Sequence, residues 1–169
     1  MAQRKGQDRA AADAEALIAR YGLKPHPEGG WFAEVHRSGR SVGTPQGYPG
    51  ERVALTAIYF LLREGDFSAF HSVTSEEVWI HLAGAPLELA LLDPEPQLVT
   101  LAAPGEPGES LIVVAPDVPQ AARSLGAFTL TSCLVAPGFD FDDFRMPRAA
   151  ELLERYPHAA ELITRFTRS

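Results

Sequence analysis

The sequence predicts an all-β fold, a barrel or sandwich of antiparallel strands with short helices at both ends. Three observations carry this expectation. Short runs rich in Val, Ile, Leu, Thr and Phe recur roughly every ten residues between 53 and 137. Pro and Gly punctuate the gaps between those runs. Helical periodicity is confined to the two ends of the chain.

Taken in order, residues 1–9 read as a mobile polar tail, and the folded domain is expected over 10–169. Between Ala10 and Arg20, Leu17 and Ile18 sit among helix-forming Ala and Glu, and Gly22 after Tyr21 is a stop signal. HPEGG at 26–30 is a turn, and WFAEVHR at 31–37 alternates, with Trp31, Ala33 and Val35 on one face and Phe32, Glu34 and His36 on the other. SGRSVGTPQGYPGE at 38–51 reads as a long loop of the kind that borders sites. Strands are expected at 53–62, up to His71, over 78–82 and 87–92, in LVTLAA, at 111–115 and over 127–135. PRAAELLERYPHAAELITRF gives two helical patterns broken at Pro157, whose apolar stripes would cover one side of the β structure.

The 169 residues, 46% of them apolar, suffice for one domain with a real core. A formal charge of −7 disfavours nucleic acid and anionic membrane as partners. Cys133 stands alone, so no intrachain disulfide forms and a reducing compartment fits. No apolar run is long enough for a membrane span, and the basic N-terminal segment lacks the apolar stretch of a signal peptide, so the expected location is the cytoplasm.

FSAFHSVTSEEVWIHLAG at 67–84 is the most informative stretch. On a strand, Glu77, Trp79 and His81 share one face, with His71 close by on the neighbouring strand. If that face points inward, a carboxylate, an indole and imidazoles enter one cavity, a combination that ordinary cores avoid. A slip of one residue would turn Glu76 inward in place of Glu77. His71 and Glu77 suit metal ligation or metal-free acid–base work. Trp79 serves equally as core packing or as a pocket wall, and His81 as an amphipathic ring at the end of the barrel. Glu28 and Glu34 lie where they can reach the cavity mouth. In PGFDFDDF at 137–144 the aromatics are expected to pin the loop, while Asp140, Asp142 and Asp143 face water or cap a turn. Walker, Rossmann, HExxH, CxxC and GxSxG patterns are all missing, and Cys133 reads as a small buried hydrophobe.

LKPHPEGGWFAEVHRS, TAIYFLL, SAFHSVTSEEVWIHLAGAPLEL, VVAPDVPQAA and LVAPGFDFDDF, in this order, resemble the cupin superfamily, and more closely its uncharacterised cupin family 5. The resemblance spans about Leu17 to Phe166 and implies a double-stranded β-helix, or jelly roll, with short flanking helices, a central pocket for a small polar molecule and a homodimer, similar in shape to sugar-nucleotide 3,5-epimerases. Trp31 and Phe32 would offer apolar contact area to the partner. Glu77 matches the glutamate of the first cupin motif and Gly84 its closing glycine, while His71 is displaced from the usual histidine spacing and Gln120 stands where the second motif has a histidine. The resemblance therefore implies at most a weak metal set of His71, Glu77 and Gln120, and no required cofactor.

The leading expectation is an isomerase or epimerase acting next to a carbonyl of a small, polar, sugar-like metabolite. His71 would be the base, Glu77 its orienter, Gln120 or Tyr59 a hydrogen-bond donor and Trp79 a wall against the ligand, with His81, Glu28 and Glu34 as further binding residues. The alternatives are a metal-dependent oxygenase or lyase, and a non-catalytic metabolite-binding module.

Overall fold

Alternating apolar residues in short β-prone runs must bury one face each, and the chain does so by stacking two antiparallel sheets. The computed structural model describes residues 2–168, with side chains from residue 12 onward. One sheet has the order β1-β2-β3-β10-β5-β8, built from β1 (Lys24–Pro25), β2 (Trp31–Arg37), β3 (Thr56–Arg63), β10 (Phe128–Ala136), β5 (Glu76–Gly84) and β8 (Leu111–Val114). The other runs β11-β4-β9-β6-β7, from β11 (Phe144–Arg145), β4 (Phe67–Val73), β9 (Gln120–Ser124), β6 (Leu87–Leu92) and β7 (Pro96–Leu101). This is the jelly-roll sandwich. It corrects the closed-barrel alternative: edge strands β1, β8 and β11 are two, four and two residues long, too short to carry a closing ladder.

The core lies between the sheets, where Phe60, Leu62, Trp79, Leu87, Leu89 and Leu101 interdigitate. Each such side chain contributes about 1.5–3 kcal/mol by leaving water. Helices then close both outer faces. The helix α1 (Ala2–Tyr21) lies on the six-stranded sheet through Ala14, Leu17, Ile18 and Tyr21, against Leu61, Phe128 and Leu130. At the other end, α2 (Ala149–Arg155) and α3 (Ala160–Arg165), joined by a 3-10 turn at Pro157–Ala159, seat Leu152, Tyr156, Ile163 and Phe166 on Phe70, Ala90 and Leu92.

Three expectations change. The first helix starts at Ala2 and so takes in nearly all of the segment read as a tail, because its Gln, Arg, Lys and Ala residues favour helix once the amphipathic end is docked. Strand β9 is added where no strand was expected, since Ala121 and Ala122 are buried on opposite sides of it. Trp31 and Phe32, expected as contact area for a partner, are each half-buried within the chain itself, Trp31 beneath α1 and Phe32 against the inner core.

Candidate functional site

The HPEGG turn is closed by Gly29 N–H donating to His26 O and His26 N–H donating to Gly30 O, each at 3.0 Å. Gly29 has φ +112 and abuts the Phe67 carbonyl, a place with no room for a side chain. The Glu28 carbonyl accepts from Ala69 N–H at 2.8 Å, which fastens the turn to β4. Glu28 is thereby buried, 5% exposed, and not at the mouth as its position in the sequence suggests. In β4 the register shifts between Ser68 and His71, so two side chains three residues apart both reach Glu28. Ser68 Oγ donates to Glu28 Oε1 at 2.8 Å, and His71 Nε2 lies 3.4 Å from Oε2. His71 Nδ1 lies 2.9 Å from Ala69 O, so both ring nitrogens face acceptor oxygens. The nearest carboxylate partner of His71 is therefore Glu28, not Glu77. His26 completes the group, with Nδ1 3.3 Å from Glu28 Oε2 and the ring edge-on to Phe32.

Glu77, Trp79 and His81 do share the inward face of β5, and Glu76 is exposed. Glu77 Oε2 accepts from Gln120 Nε2 at 2.6 Å, and Gln120 Oε1 accepts from Trp79 Nε1–H at 2.9 Å. His71, Glu28, Glu34, Glu77 and Trp79 line one cavity of about 150 Å³. Three of the expected binding residues lie outside its lining. His81 sits at the far end of β5 with Nε2 3.1 Å from Ala85 O. Tyr59 points to the opposite face of its strand, against Tyr21 of α1 at 4.5 Å between ring centroids. Gln120 is wholly buried behind Glu77 and Trp79.

The cavity also takes in residues that sequence reasoning missed. His26 was legible only as part of a turn, although the same motif places Glu28. The aromatics of the 137–144 segment do pin the loop, but Phe139, Phe141 and Phe144 also form a cavity wall. Asp143 is not solvated: it is buried and accepts from Arg52 Nε at 2.6 Å and Nη2 at 2.7 Å, tying the 38–55 loop to that wall. Asp140 caps the 3-10 turn Phe141–Asp143 by accepting from Asp142 N–H. Arg37 lines the cavity too, but its guanidinium is held by both Glu34 oxygens at 2.9 and 2.7 Å and by the Phe139 carbonyl.

The two interior carboxyls are driven apart. At Glu28, burial pushes upward, but the positive charge of His71 and the hydrogen bonds from His26 and Ser68 outweigh it and hold the group below the usual carboxylate range. At Glu77, burial dominates, the Glu28 charge adds to it, and the acid is raised despite His71 and Gln120. Burial likewise pushes the Cys133 thiol well up, so this cavity-lining group is a neutral thiol and no nucleophile.

The donor set does not fit a cupin-type metal. Gln120 spends its oxygen on Trp79, His71 spends both nitrogens on Glu28 and Ala69, and no cluster of three ligating side chains occurs among the described residues.

A family model described as "Cupin superfamily (DUF985)" matches residues 15–147. Among solved structures, a hypothetical protein from Leishmania major is 33% identical with a TM-score of 0.85, over 92% of this chain and 99% of its own. A protein from Shewanella oneidensis is 31% identical with a TM-score of 0.83, over 92% and 97% respectively. A cupin 2 domain-containing protein from Halorhodospira halophila, at 19% identity and a TM-score of 0.56 over 86% and 88%, is alike in fold alone. No curated protein matches the sequence.

Proposed function

This chain belongs to the cupin superfamily, in the family designated DUF985, and we propose that it binds a small uncharged carbonyl compound and moves a proton on the carbon next to the carbonyl. One observation carries the reading: two buried carboxyls face one cavity with their acidities driven apart, Glu28 below and Glu77 above the ordinary carboxylate value. Separated acidities of this kind assign the roles. Glu77 donates a hydrogen bond to the carbonyl oxygen. Glu28 accepts the neighbouring C–H proton as the C–H electron pair moves into a carbon–carbon double bond and negative charge develops on the oxygen facing Glu77. Return of the proton to either face of that carbon, or to the carbon beyond it, completes an epimerisation or an isomerisation. A carboxylate of lowered basicity removes only an activated proton, and the hydrogen bond from Glu77 supplies the activation. His71 is then the positive charge that keeps Glu28 ionised, in place of the base expected from the sequence.

Size and charge narrow the ligand. A cavity of about 150 Å³ matches one that holds benzene, so the bound portion has about six to ten heavy atoms. Arg37 is the single Lys or Arg among the described lining residues, and Glu34 already occupies it. A pyrophosphate, as in a sugar nucleotide, would find no free counter-charge there, since His71 is already paired with Glu28, whereas aromatic walls suit the apolar face of a small sugar-like molecule.

The test is deuterium incorporation from D₂O into dihydroxyacetone and other three- to six-carbon hydroxy-ketones, followed by proton NMR. Wild-type protein should accelerate exchange, Glu28→Gln should abolish the acceleration, and Glu77→Leu, which removes the donor, should reduce it about 10²–10³-fold, as the loss of an oxyanion donor does. Ligand-induced stabilisation without exchange would overturn the catalytic reading in favour of a binding module.

A further inference from the structure

Glu77 cannot act as a donor unless its proton sits on the correct oxygen, and the fold contains a device for that. Trp79 and Glu77, two residues apart on β5, face the same way, and Gln120 reaches them across the sandwich from β9. All three are 6% exposed or less. An indole N–H can only donate, so the amide oxygen of Gln120 must face Trp79 and its NH₂ must face Glu77. The amide therefore has one orientation, dictated by chemistry. Glu77 Oε2 is in turn an acceptor, and because the carbonyl oxygen of a carboxylic acid accepts better than its hydroxyl oxygen, a protonated Glu77 favours its proton on Oε1.

We propose that Trp79 and Gln120 are positioning residues which keep the Glu77 proton on Oε1, the oxygen not engaged by Gln120, so that it serves a ligand in the cavity. This rests on the reading of Glu77 as the donor but adds a relay that the family motif does not specify: the residue in the place of the second-motif histidine acts on a carboxyl, not on a metal. The other titratable groups facing Glu77 are His71 from β4, Glu28 from the turn and Cys133 from β10. Of these only Cys133 also hydrogen-bonds the Glu77 carboxyl, and a thiol is a weak donor beside the Gln120 amide at 2.6 Å. The hydrogen bond from Gln120 also favours the ionised form of Glu77, opposing the burial that raises it.

The experiment follows the Glu77 carboxyl by carbon-13 NMR as a function of pH, together with the indole N–H resonance of Trp79, in the wild type, Gln120→Leu and Trp79→Phe. In the wild type the indole resonance should move with the midpoint of Glu77, since protonation changes the bond that Gln120 relays. Gln120→Leu should uncouple the two and raise the midpoint by about one to two pH units, the size of a lost hydrogen bond to a charged group. Trp79→Phe keeps the ring packing while freeing the amide to invert, and should also raise the midpoint; it decides the matter if the first variant fails to fold. An unchanged midpoint in Trp79→Phe, or an indole resonance that ignores Glu77 in the wild type, would overturn the proposal. Neither readout depends on turnover, so a failure of isotope exchange and a failure of this relay are separate results.

Discussion

Removing one partner of the Arg52–Asp143 pair should be among the costliest single changes in the molecule. Both side chains are nearly inaccessible, Arg52 at 6% and Asp143 at 3%, and two charge-assisted bonds of 2.6 and 2.7 Å join them in the parallel fork that arginine and carboxylate favour. Asp143→Ala leaves a guanidinium buried with only the Glu51 carbonyl as its remaining acceptor. The cost of such an orphaned charge is about 3–5 kcal/mol. At about 2–4 °C per kcal/mol for a chain of this length, the melting temperature should fall by roughly 6–20 °C. Arg52→Met with Asp143→Leu removes both charges, and most of the loss should return, because the penalty belongs to the unpaired ion. Urea denaturation of the wild type, both single variants and the double variant closes the cycle. Single-variant losses below about 1 kcal/mol, the level of a solvent-exposed pair, or a double variant as poor as the sum of the singles, would refute the reasoning.

Two further outcomes follow from the site. Glu77, raised in the folded state, favours folding less as pH climbs from its unfolded value near 4.5 through its folded one; Glu28, lowered, gives stability that is present above that value and is lost as pH falls through its folded one. Glu77→Gln should thus gain stability over the wild type at pH 8 and lose that gain at pH 4, while Glu28→Gln should be the less stable at pH 8, both read from urea midpoints; parallel curves for all three proteins would contradict the opposed shifts. Gly29→Ala should cost about 2–3 kcal/mol or more, since a side chain at φ +112 would press on the Phe67 carbonyl, and thermal unfolding within 1 °C of the wild type would show that the turn adapts freely.

The fold was legible because strand periodicity is a local signal: WFAEVHR and LELALL form strands over the residues that alternate or carry β-prone side chains. Gln120–Ser124 was hidden because its small and polar residues are buried only by what packs on both sides of it. The same division runs through the site. Glu77 and Trp79 share a face by a spacing of two, which a sequence displays. The partner of His71 is set by a register shift in β4 and by a turn some forty residues earlier, and neither leaves a periodic trace. Tyr59 was misplaced by one step of that alternation: its neighbours Ile58 and Phe60 face the cavity, so it cannot. Asp143 looked like solvated loop acid because nothing near it in sequence announces Arg52.

The cavity draws its acid–base floor and its aromatic wall from different parts of the chain. Glu28, His71 and Glu77 are locked into strands and a tight turn, whereas Phe139, Phe141 and Phe144 come from one short segment anchored at Asp143. Replacement of those rings resizes the chamber, and Phe139 is the one of the three that does not pack on His26 or His71. A library that starts at 139 and then extends to 141 and 144 is therefore the economical route to retarget the pocket.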